Sequence, residues 1–145
     1  MLHIIKDLQD QLLELIKDDP VRPELAPDFR VNENSRIFVL MDDDQLEPLA
    51  VTCVKFLNSI PESVEDLTQT VSAANTAVFY TIWSYAKGAG QRLIREAQSR
   101  IEQEYPGVET YVTLSPKTEM ARNFHLKNGA SVYRENPETV NYLYR

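Results

Sequence analysis

One cysteine, one tryptophan and four glycines stand in a chain of 145 residues, and no apolar run reaches the length of a membrane span. Each shortage excludes something. A single thiol, Cys53, can form neither an intrachain disulfide nor a multi-cysteine metal site, and its neighbours in LAVTCVKFL predict a buried, inert side chain in a reducing compartment. Scarce glycine, with 43% hydrophobic and 26% charged residues, rules out collagenous, low-complexity and disordered classes. Basic side chains are outnumbered, 15 against 22 acidic, so the net charge is -7 and nothing long-range draws the chain to phosphate backbones or anionic lipid. We therefore expect no nucleic-acid and no membrane partner. The opening MLHIIKDLQD, acidic within ten positions, matches neither a secretory signal nor a spanning segment, and the expected location is cytoplasmic. The length favours a single domain over residues 1–145, because halves of about 70 residues would have little core apiece.

What is present is a sequence of periodic segments. Leu2, Ile5, Leu8, Leu12, Leu15 and Ile16 recur at three- and four-residue spacing and predict an amphipathic helix ended by Asp18, Asp19 and Pro20. Residues 20–35, with Pro20, Pro23 and Pro27, read as a loop long enough to wall an active site. RIFVLM (36–41) and PLAVTCVKFL (48–57) predict a hairpin, with Asp42, Asp43 and Asp44 at a solvated turn to which no metal is assigned. TAVFYTIWSY (76–85) predicts a central strand with Ala77, Phe79, Thr81 and Trp83 on one side. The turn Lys87–Gly90 then opens a helix carrying Leu93, Ile94, Ala97 and Ile101, and ETYVTL (109–114) predicts the next strand. Pro116 is expected to open a helix with Met120, Ala121 and Phe124 inward and Asn128 and Gly129 at its end, followed by short strands at 131–134 and 140–144.

A glycine turn before a helix frees unpaired amides at a positive dipole end, which suits a phosphate, although KGAG lacks the lysine and hydroxyl of a nucleotide-binding P-loop. Lys87 supplies the nearby cation. The order hairpin, central strand, glycine turn, helix, strand and helix ending in NGA resembles the GNAT acyl-CoA fold, an α/β (α+β) architecture with a mixed, mostly antiparallel central sheet flanked by helices. In that superfamily the turn binds the coenzyme A pyrophosphate through backbone amides, and Gln or Arg usually stands three residues before its first glycine, where this chain has Tyr85. Inside the superfamily, AVFYTIW, EYPGVETYVTLSP and NFHLKNGA resemble the C-terminal catalytic domain of malonyl-CoA decarboxylases, whose stretches read FYS, EFP, SLSP and NFHLQNGA. Two departures stand out. The long insertion between SLSP and NFHLQNGA has no counterpart, and from the length of 145 residues we expect no helical, oligomer-building N-terminal domain.

The resemblance implies a catalytic pair at His125 and Thr81, with Tyr142 of NYLYR a substrate or histidine contact. It also implies coenzyme A contacts from Ile82, Trp83, Tyr85, Lys87, Gly88, Ala89, Gly90 and Gln91. Loss of carbon dioxide from a malonyl thioester leaves an enolate that needs a proton, and a histidine of ordinary pKa, about 6.5, can return it near neutrality. A hydroxyl such as that of Thr81 can orient either the imidazole or the substrate carboxylate. Three functions stay open: decarboxylation of malonyl-CoA, N-acetyl transfer from acetyl-CoA to an amine, and acyl-CoA or protein binding without catalysis. The expected partner is a small-molecule acyl-CoA thioester with no metal, a homodimer is left open, and the global charge predicts modest coenzyme A affinity that added salt improves.

Overall fold

In the computed structural model, which describes residues 1–145, the aromatic segment Thr76–Ser84 becomes β4, the middle of an eight-stranded sheet. Its partners are β1 (Leu2–Ile5), β2 (Ser35–Met41), β3 (Pro48–Leu57), β5 (Thr110–Thr113), β6 (Ser115–Pro116), β7 (Ser131–Glu135) and β8 (Thr139–Tyr144). The order is β1-β2-β3-β4-β5-β8-β6, with β7 paired to β8. All pairs are antiparallel except β4 with β5, which are joined through the helix α2 (Ala89–Glu104) as a parallel crossover requires. This is the mixed, mostly antiparallel sheet flanked by helices that the resemblance implies.

Each face of the sheet carries its own core. On one, Leu93, Ile94, Ala97 and Ile101 of α2 pack on Phe38, Val54, Ala77 and Phe79. On the other, Ile37, Val39, Val51, Cys53 and Val78 are covered by a 3-10 helix (Gln11–Asp18), by α1 (Pro27–Arg30) and by a second 3-10 turn (Val64–Thr68). Cys53 is fully buried, and burial pushes its thiol up to about 12.

Three expectations need correction. The N-terminal segment is not one helix: Leu2–Ile5 pairs with Leu40–Ile37 as an edge strand, and only Gln11–Asp18 is helical, opened by Asp10, whose carboxylate accepts from the Leu12 amide at 2.9 Å. A partner strand outweighs local period there. Pro116 lies in β6, and the helix α3 (Glu119–Lys127) starts later, capped by the Thr118 hydroxyl; Met120 is 84% exposed rather than inward. Finally, β4 does not alternate evenly. Cys53 faces Thr81 but Val54 faces Phe79, so Tyr80 is an extra residue, and Ala77 and Phe79 pack on one face while Tyr80 and Trp83 pack on the other.

Candidate active site in the split between two strands

The bulge at Tyr80 coincides with the place where the sheet opens. β4 and β5 stay in register from Thr76 opposite Thr110 to Phe79 opposite Thr113, and Leu114 still donates its amide to the Phe79 carbonyl at 3.1 Å. Beyond that, β4 runs on to Ser84 while Ser115 and Pro116 turn away to pair with Val140 and Thr139. Arg22 sits where the strands part, its Nε donating to the Tyr80 carbonyl at 3.0 Å and its Nη2 to the Leu114 carbonyl at 2.9 Å. A side chain from the 20–35 segment thus replaces the missing ladder bonds.

The split forms a cavity of about 360 Å³. Phe79 through Ser84 form one wall, Leu114, Ser115 and Pro116 the other, Met120, Ala121, Phe124 and His125 of α3 close it, and Pro20 and Val21 complete it. The lining is mostly apolar, as is usual for a small-molecule pocket.

His125 and Thr81 line this one cavity, each only 3% exposed. The imidazole is held on two sides: the Tyr142 ring stacks on it at 5.0 Å and 28°, and Nδ1 lies 2.6 Å from the Tyr144 hydroxyl. Tyr144 is buried and its oxygen has no other hydrogen-bond partner, so the phenol donates to Nδ1 and the remaining ring proton sits on Nε2, which has no protein partner. Burial pushes His125 down to about 4. At neutral pH the ring is uncharged, which corrects the expectation of an ordinary histidine titrating near 6.5. Tyr142 contacts the histidine and does not line the cavity. Tyr144, which the sequence reading passed over, lies two residues along the same strand and therefore on the same face.

On the far side of the split, Thr81 donates its hydroxyl proton to Oδ1 of Asp19 at 2.8 Å. Asp19 is fully enclosed and also takes bonds from Val21 N at 2.8 Å, Arg22 N at 3.0 Å and Arg30 Nη1 at 2.7 Å. Burial pushes its carboxyl up, but the bonds from Arg22, Arg30, Thr81 and Val21 outweigh this and hold it below the usual range. Arg30 is fully buried, its other nitrogens donating to the Leu25 and Arg22 carbonyls. Neither arginine was singled out from sequence. The signal available was three charged side chains, Asp19, Arg22 and Arg30, within an irregular, proline-rich stretch.

The residues expected to hold coenzyme A fall into two groups. Ile82, Trp83 and Gly90 line the cavity, while Tyr85, Lys87, Gly88, Ala89 and Gln91 lie outside it at the N-terminus of α2. Gly88 caps that helix with φ of 79°, a left-handed conformation that favours glycine, and no side chain satisfies the first turn. The amides of Gly90 and Gln91 accordingly have no carbonyl partner, and exposed Lys87 makes no ion pair. Tyr85 is tied elsewhere: it accepts from Trp83 Nε1 at 3.0 Å and donates to Asp18 at 2.7 Å.

Comparison with known families meets this geometry. The model of the malonyl-CoA decarboxylase C-terminal domain matches residues 28–143. The chain belongs to that family. Among solved structures, malonyl-CoA decarboxylase from Agrobacterium vitis is 27% identical, with a TM-score of 0.71, over 86% of this chain and 35% of its own. The domain thus spans about a third of that enzyme's length. The fold is also that of the GNAT acetyltransferases: Tetrahymena Gcn5 superposes with a TM-score of 0.65 at 12% identity, over 99% of this chain and 96% of its own. E. coli YhhK, solved bound to coenzyme A, gives 0.61 at 16% identity, over 99% and 98%. A search of the curated proteins gave no match.

Proposed function

We propose that this domain binds malonyl-CoA in the split between β4 and β5 and decarboxylates it to acetyl-CoA. The observation that carries the reading is His125: a buried imidazole, bonded through Nδ1 to the Tyr144 hydroxyl, lines the same cavity as Thr81, and with the phenol as donor its free proton is Nε2–H. Family membership supplies the substrate class.

The reaction breaks the bond between the carboxylate and the adjacent carbon, and the electron pair moves into the thioester enolate. Nε2–H is placed as a neutral donor to the developing enolate oxygen, a role in which an imidazole acts without first gaining a proton. The apolar lining keeps water from competing with that bond while the charge moves. One proton is taken up at the carbon, so malonyl-CoA and a proton give acetyl-CoA and carbon dioxide. The phosphates of coenzyme A fall to the Gly90 and Gln91 amides and Lys87, with α2 directing its positive end at them.

A second reading, acetyl transfer from acetyl-CoA to an amine, is favoured by the likeness to the GNAT acetyltransferases. Incubation of the pure protein with malonyl-CoA separates the two. The proposal expects acetyl-CoA and carbon dioxide in equal amounts, with His125→Ala abolishing both while coenzyme A binding persists. Unchanged malonyl-CoA at high protein concentration, or an acetylated amine formed from acetyl-CoA, would overturn it.

A further inference from the structure

Among the buried charges that the proposed chemistry leaves unused, Asp19 is bonded to a side chain of the cavity. It belongs to the segment between the first 3-10 helix and α1, ahead of the residues 28–143 that match the family. Its carboxylate is fully enclosed, and four donors hold it ionised: Thr81 Oγ1 at 2.8 Å, Val21 N at 2.8 Å, Arg22 N at 3.0 Å and Arg30 Nη1 at 2.7 Å. An ionised carboxylate accepts and cannot donate, so the single hydroxyl proton of Thr81 lies on the Asp19 side. Thr81 also lines the cavity, and with its proton given to Asp19 the hydroxyl has only lone pairs left to offer there.

That removes one of the tasks open to Thr81. As a donor it could have clasped the substrate carboxylate; as an acceptor it cannot. We propose that Asp19 is a positioning residue of the active site, acting through Thr81. By taking the hydroxyl proton it leaves a lone-pair oxygen facing the malonyl carboxylate. The inference rests on the decarboxylation reading. A carboxylate set against that oxygen gains no hydrogen bond from it, and departure of neutral carbon dioxide removes the unfavourable contact, whereas the enolate oxygen is served by His125 of α3. The buried Arg30 keeps Asp19 in place and holds its charge, and Arg30 Nη2 on the Arg22 carbonyl, 2.7 Å away, ties both to the same loop.

The test separates positioning from mere structure. Asp19→Asn, which keeps size and removes the charge, is expected to lower kcat for malonyl-CoA about tenfold and to lower KM with it, the signature of relieved ground-state strain. Its Kd for acetyl-CoA, which has no carboxylate, should stay unchanged. Thr81→Val should lose kcat, Thr81→Ser should restore it, and Asp19→Asn added to Thr81→Val should cost nothing more. Independent losses from the two substitutions, or a KM that rises for both thioesters, would overturn the proposal. If Asp19→Asn does not fold, the hydroxyl proton of Thr81 in the unaltered protein decides instead: a slowly exchanging, downfield NMR signal, absent in Thr81→Val, is expected, and no such signal would overturn the contact. That signal is read without turnover. Failure of the unaltered protein to consume malonyl-CoA therefore sinks the decarboxylation reading and is distinguishable from failure of the Asp19–Thr81 contact.

Discussion

The Tyr144 hydroxyl and Nδ1 of His125 lie 2.6 Å apart, and with the phenol as donor the ring proton sits on Nε2. Two tyrosines of β8 flank the histidine, but they do different things: Tyr142 packs its ring against the imidazole, and Tyr144 bonds to it. Tyr144→Phe keeps the packing and removes the lock, so both tautomers become populated. We expect kcat to fall roughly tenfold with KM within about threefold, and stability to fall by about 1–3 kcal/mol for the orphaned nitrogen. Tyr142→Phe keeps the stacked ring and should leave kcat near its original value. Steady-state kinetics on the two variants, with the 15N shifts of His125, checks both; equal losses would contradict the division of labour.

Burial of an uncharged histidine also makes stability depend on pH. His125 is pushed down to about 4 in the folded chain, against about 6.5 when unfolded. Because the folded value is depressed, the unfolded chain binds the proton first as pH falls. The contribution is fully present above about 6.5, is lost progressively down to about 4 and amounts to ~3 kcal/mol. Asp19, also held low, adds a loss at still lower pH, below its usual carboxylate range. Denaturant titrations at pH 7, 5.5 and 4 should show this slope in the unaltered protein and a flatter one in His125→Gln. The pH profile of kcat should lack a step near 6.5, since the ring is already neutral there.

The parts legible in the sequence are those whose signal is local. The hairpin of β2 and β3, the aromatic strand β4 and the amphipathic α2 each bury a face that their own spacing reveals. The N-terminal strand was hidden because Leu2 and Ile5 fit a helical stripe as well as a strand, and only pairing with Leu40 and Ile37 decides between them. The bulge at Tyr80 was hidden for a related reason, since a one-residue insertion is defined by the partner strand. Of the candidate site, the resemblance pointed to His125 and Thr81, and the structure places both on one cavity. Asp19, Arg22 and Arg30 could not be read, because their partners are remote: Thr81 lies 62 residues from Asp19, and Leu114 lies 92 from Arg22. Charged residues in an irregular stretch look solvated until the fold encloses them.

Arg22 carries the clearest structural consequence of that enclosure. Its guanidinium satisfies the Tyr80 and Leu114 carbonyls at the head of the split, and burial lowers its pKa from the ordinary guanidinium value. Arg22→Leu removes both donors and leaves two strand carbonyls unpaired, a loss we place at about 2–4 kcal/mol. Arg22→Lys retains charge but lacks the planar fork that reaches both oxygens, so it should recover less than half of the loss. Thermal unfolding of the two variants measures this. A leucine variant as stable as the original would mean that the strands separate without help from the loop.

Gly88 and Gly90 are both glycine for different reasons, and substitution tells them apart. A Cβ on Gly88 would meet nothing within 4 Å, but the residue sits at φ of 79°, so Gly88→Ala is strained through its backbone alone and should cost about 1 kcal/mol. Gly90 has ordinary backbone, yet its Cβ would lie 3.0 Å from Cε1 and Cζ of Phe124, the side chain that joins α3 to α2 beside His125. Gly90→Ala must push that ring, which costs about 1–3 kcal/mol where it cannot yield and narrows the cavity where it can. Calorimetry with coenzyme A and malonyl-CoA should therefore show Gly88→Ala weakening both ligands alike, through the amides of the turn. Gly90→Ala should weaken malonyl-CoA more than coenzyme A, because the displaced ring borders the acyl end. The reverse order would place the acyl group away from Phe124 and His125.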